Sequence, residues 1–142
     1  LTLYPKEKVW KAIEDFYLNA DRMHKEVEKE RLLRSLNKTC MQAEQSHQIL
    51  MDVSMPDSKR ISAIRSVRNY PYHPLVEDYL KVVKDHRNSL EVRVVMAEAL
   101  GWFSYSVQRL NILQSLKQWM QSEDLPKELR GEIEQSINRL TL

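Results

Sequence analysis

Two residue pairs in the first third of the chain have the spacing of metal-ligand elements, Asp21 with His24 and Glu44 with His47. A carboxylate three residues before a His puts both groups on one face of a helix, as in carboxylate-bridged di-iron bundles. Such a site needs two further inward carboxylates. The seam beside the first pair is instead Val9, Ile13, Phe16 and Met23. The pairs are therefore expected to be surface groups or a satisfied core His, with no metal and no cofactor. His73, just before Pro74, is expected to cap a helix, and His86 to suit the dipole of a last helical turn. The lone Cys40 excludes an intrachain disulfide and any Cys-rich zinc site, and at helical core spacing it reads as a small buried hydrophobe. No Ser-His-acid or Cys-His grouping stands out, and only 2 Gly leave no room for a phosphate-cradling loop. The sequence makes no case for an enzyme.

Basic residues offer a second kind of chemistry. Lys59, Arg60, Arg65, Arg68, Lys81, Lys84, Arg87 and Arg93 run through the middle of the chain, with Tyr70 and Tyr72 close by. A phosphate-binding strip would use Arg65, Arg68, Lys81 and Lys84. Asp57, Glu77, Asp78, Asp85 and Glu91 interrupt the run, and the net charge is only +2. Solvated helix faces are the expected reading, and nucleic-acid binding is the alternative. Arg60 and Arg93 differ from the others because they project from apolar arcs, where an unpaired charge is expensive. They are expected to be structural, bonded to an acid such as Asp57 or Asp85 or to helix-end carbonyls.

The elements that must carry these residues are helices. The chain has 142 residues, 42% apolar and 30% charged, which is one domain able to bury a core. The scarcity of Gly, with 5 Pro, points to an all-α fold. No stretch nears the ~20 apolar residues of a membrane span, and no signal peptide is visible. Because it opens on Leu1 rather than Met, the chain is expected to be part of something longer. Residues 1–56 read as an N-terminal helical segment. One seam there runs from Val9 to Val27 and a second through Leu36, Cys40, Ala43, His47 and Leu50. Shorter helices are expected near 57–70, 74–87, 89–103, 105–121 and 126–140. The segment 89–103 is apolar nearly all round and must be enclosed by the others. Asn88 with Glu91 is expected to cap its start, and Gly101 its end in a left-handed conformation.

The short helices repeat. Arg60, Arg93 and Arg130 are 33 residues apart (93 − 60) and then 37 (130 − 93), each followed by apolar and small residues at matching offsets. Ser66, Ala99 and Ser136 hold the small position, and the extra residues of the longer spacing fit around Ser122, Glu123 and Asp124. Helix pairs of this length are the mark of an α-solenoid, in which each pair buries its apolar face on the next.

Asp57, Arg60, Ala63 and Val67, and again Glu91, Arg93, Ala97, Ala99, Leu100 and Gly101, stand as in the first helices of HEAT repeats. Residues 57–142 resemble that family, especially its short phycobilisome-lyase-like kind. The resemblance implies an α-α superhelix of two helix pairs and a half repeat. It further implies a binding scaffold for a protein partner, or a nucleic-acid-binding domain of the HEAT-like glycosylase type. In stacked pairs the second helices line the concave face, where Tyr72, Tyr79, Tyr105, Ile112 and Trp119 make a candidate binding row. Trp119 is expected to be partly exposed.

Overall fold

The computed structural model describes residues 22–141 and is all-α, with six helices and no strand among the described residues. They are α1 (Arg22–Met51), α2 (Asp57–Val67), α3 (Val76–Lys84), α4 (Leu90–Leu100), α5 (Arg109–Trp119) and α6 (Lys127–Leu140). A 3-10 turn, His73–Leu75, leads into α3. No helix among the described residues is long and apolar enough to cross a membrane. The seam from Val9 to Val27 and the Asp21–His24 pair lie outside the described residues and side chains, as does the side chain of Leu36. The rest of the second seam faces inward, since Cys40, Ala43 and Leu50 are buried.

The centre is α4, as its all-round apolar sequence requires. Val92, Arg93, Val95, Met96, Ala97, Ala99 and Leu100 are buried, because α2, α3 and α6 all pack against it. The helices fall into two sets. The first helices of the sequence repeat, α2, α4 and α6, follow one another: α2 packs on α4 and α4 on α6. Single polar bonds link the other helices. His47 of α1 meets Asp78 of α3 at 2.7 Å, and Asn111 of α5 donates to Glu77 of α3 at 2.9 Å.

Two local details differ from the sequence reading. Ser89, not Asn88, caps α4: its hydroxyl accepts from the Val92 N–H, while Asn88 is buried and bonded elsewhere. Gly101 is not left-handed, since its φ is −65°. Its lack of a side chain matters for packing instead. A Cβ there would lie 2.6 Å from Ser136 Oγ and 3.1 Å from Ser136 Cα, so α6 approaches α4 more closely than any other residue allows. Ser136 uses that proximity to donate to the Ala97 carbonyl at 2.6 Å. Ser136, one of the recurring small residues, thus lies where α6 runs close against α4. The matching Ser66 faces α1, through a 2.6 Å contact with the Ser46 hydroxyl.

Candidate functional site

The three repeated arginines do one job. Arg60 Nε donates to the Leu50 carbonyl at 2.9 Å, Arg93 Nε to the Val83 carbonyl at 2.7 Å, and Arg130 Nη1 to the Met120 carbonyl at 2.9 Å. Every acceptor lies ten residues before its arginine, in or just past the last turn of the preceding helix. Those carbonyls have no partner within their own helix and sit at its negative end, so a guanidinium both bonds and neutralises them. Such charge-assisted bonds are what make the burial of Arg60 and Arg93 tolerable. The expected acids are not the partners. Asp57 is exposed, and Asp85 is clamped by Arg87, whose backbone N–H, Nε and Nη2 all donate to it. Those bonds hold the Asp85 carboxyl down at about 2. Arg60 and Arg93 therefore form no ion pair with any described residue, and the carbonyl arm of the expectation is the one realised.

The arginines differ in what their remaining nitrogens find. Arg60 Nη2 reaches Asn88 Oδ1 at 3.0 Å, and Arg130 Nη2 reaches the Ser122 carbonyl. The two terminal nitrogens of Arg93 have no acceptor among the described residues. Arg93 is only 7% exposed, and burial lowers its pKa, with Asp85 acting weakly in the other direction. Arg93 lines a cleft of about 340 Å³ between the ends of α3 and α5 and the start of α6. Lys84, His86, Trp119, Leu125, Leu129 and Ile133 share its wall.

The candidate binding row splits. Tyr79 and Ile112 are fully buried, so neither can serve as an exposed anchor. The Tyr79 ring sits edge-on to Phe103 at 6.2 Å, and burial, with Asp78 nearby, pushes its phenol above the ordinary tyrosine value. Tyr72 is half-buried beside His73, and Trp119 is half-buried in the cleft wall. Only Tyr105 stands well out, at 79%. The outward stripe of the second helices lies at other positions: Glu77, Lys81 and Lys84 on α3, then Leu110, Gln114 and Lys117 on α5. Leu110 at 66% and Val107 at 55% join Tyr105 as exposed apolar groups within one short stretch.

Of the basic strip, Arg60 and Arg93 are internal, Arg68 pairs with Glu98 at 3.1 Å, and Lys81 lies 3.8 Å from Asp78. Arg65 is exposed, and Lys84 edges the cleft. His47 of the second metal-like pair bonds Asp78 across helices, while Glu44 is exposed. No three His, Cys, Asp or Glu residues converge among the described residues. Two features had no place in the sequence reading. Asn88 bridges Arg60 and the Val82 carbonyl, and the guanidinium groups of Arg68 and Arg139 lie 5.8 and 5.4 Å from the centre of the half-exposed Trp102 ring. Nothing short of three-dimensional packing brings α2, α4 and α6 together around Trp102.

Compared with family models, curated proteins and solved structures, the chain returned no match.

Proposed function

We propose that the chain is a HEAT-like α-solenoid module that binds a protein partner and carries no catalysis of its own. The architectural half of this reading is supported by the threefold arginine bond to the preceding helix end and by the succession α2, α4, α6. It is the arrangement expected of stacked helix pairs, each covering its neighbour. The functional half rests on one observation. Tyr105, Val107 and Leu110 expose large apolar side chains at the head of α5, where the outward stripe of the second helices begins. Clustered exposed apolar groups mark interaction surfaces, and Tyr is a favoured anchor in them.

The test is a triple substitution, Tyr105→Ser with Val107→Ser and Leu110→Ser. These side chains are already largely in water, so thermal unfolding should barely move. Proteins retained from native lysate by the immobilised wild type and by the variant are then compared by mass spectrometry. The expected result is a defined partner held by the wild type and lost from the variant. Identical retention by both would contradict the surface. The same reading expects no gel shift with duplex or single-stranded nucleic acid at low salt, because the cations are interrupted by acids and partly engaged.

A further inference from the structure

The repeat offers an internal control for the cleft at Arg93. In the first helix pair, Asn88 stands five residues before Arg93 and turns its amide oxygen onto Arg60, the arginine of the preceding repeat. In the next pair, the residue five before Arg130 is Leu125. Leu125 occupies the corresponding place beside Arg93, and it lines the cleft. A leucine has no acceptor to give. The position that completes Arg60 is therefore apolar at Arg93, and two guanidinium nitrogens are left facing open space.

A half-filled guanidinium is expensive when it is almost wholly enclosed. Among the described residues the one sealed side-chain polar atom without a partner is the Tyr79 hydroxyl, so the free edge of Arg93 is not sealed. It faces the cleft. The volume of about 340 Å³ is at the lower end of small-molecule sites. The chemistry of the wall is specific. One edge is cationic or proton-donating, from Arg93, Lys84 and His86, and the other is formed by Trp119, Leu125 and Leu129.

We propose that this cleft is a binding site for a carboxylate carried on a compact apolar or aromatic group. The planar carboxylate takes the two free donors of Arg93 as a fork, a geometry that guanidinium matches and ammonium does not. The apolar group rests against Trp119 and the leucines. A bare phosphate would leave the Trp119, Leu125 and Leu129 side of the cleft unused, whereas a carboxylate carried on an apolar group uses both sides. The carboxylate is that of a free small acid or of a peptide C-terminus ending in an apolar residue. This inference does not depend on the surface around Tyr105, which lies at the opposite end of α5.

The test follows the indole N–H of Trp119 and the Nε–H of Arg93 by NMR during titration. The probes are 3-phenylpropionate, its amide, N-acetyl-Leu-Phe with a free carboxylate, and inorganic phosphate. The acid is expected to bind saturably and at least about tenfold more tightly than the amide, the scale of one charge-assisted bond. Tighter binding of the dipeptide would assign the site to a peptide terminus; binding of the phenylpropionate alone would assign it to a small acid. Leu125→Asn should rebuild the arrangement seen at Arg60, raise the melting temperature and abolish binding of either acid. Equal binding of acid and amide, displacement by phosphate at matching concentration, or unimpaired binding by Leu125→Asn would each overturn the proposal. The acid–amide comparison uses the unmodified protein and does not depend on how the variant folds.

Discussion

Tyr79 carries a buried hydroxyl for which no described residue supplies a partner. Holding an unbonded donor away from water costs free energy that phenylalanine would avoid. Tyr79→Phe is accordingly expected to be neutral or up to about 1 kcal/mol more stable by urea unfolding. A loss of that size would mean the hydroxyl is satisfied. The same residue shows what spacing can and cannot tell. Tyr79 and Ile112 hold matching places one repeat apart, as their periodicity indicates, but both face inward. Periodicity fixes which residues stand together and leaves open whether a neighbour covers them. The exposed stripe, Glu77 with Lys81 and Lys84 and then Leu110 with Gln114 and Lys117, keeps the same repeat offset on another side of each helix. The arginines were more legible. A charge in an apolar arc must find an acceptor, and only the identity of that acceptor needed coordinates. Nothing in the sequence separates Asp85 from the Val83 carbonyl, because both lie within reach of Arg93 and the competing claim of Arg87 on Asp85 is a matter of geometry.

Helix positions were legible from Pro, Gly and Ser punctuation, although four of the five C-terminal ends lie two or three residues earlier than expected and the helix expected from 105 starts only at Arg109. Residues 68–70, 85–87 and 120–121 leave the helices to form the turns in which the next element reverses. The two glycines show why an element must be read with its neighbour. Gly101 and Gly131 are both right-handed, so neither owes its place to backbone freedom. A Cβ at Gly101 would strike Ser136, whereas one at Gly131 would meet nothing within 4 Å. Gly101→Ala should destabilise by roughly 1–3 kcal/mol through overpacking of the α4–α6 crossing. Gly131→Ala, on the exposed face of α6, should stabilise by about 0.5–1 kcal/mol through helix propensity. Thermal melts of the two variants shifting in the same direction would show that α6 does not sit against α4 in this register.

For the whole molecule, the sequence divided the chain at residue 56 and found no repeat before it. The structure shows a link across that boundary. Leu50, near the end of α1, gives its carbonyl to Arg60 as Val83 gives its own to Arg93 and Met120 to Arg130. The end of α1 thus offers Arg60 the same helix-end carbonyl that the ends of α3 and α5 offer Arg93 and Arg130. This escaped the sequence because α1 runs on for 30 residues and lacks the arginine, small and apolar pattern of a first helix before it. The constant offset of ten between carbonyl and arginine is a backbone property that no side chain at position 50 reveals. Stacked helix pairs joined by buried arginines are the central claim, and the arginine Nε–H groups test it most directly. Side-chain hydrogen exchange measured by NMR should find the Nε–H of Arg60 and Arg93 strongly protected, with cross-peaks to the ends of α1 and α3. The Nε–H of Arg130, which bonds its carbonyls through the terminal nitrogens, should exchange faster. Exchange of all three at the rate of the exposed Arg65 would contradict the account.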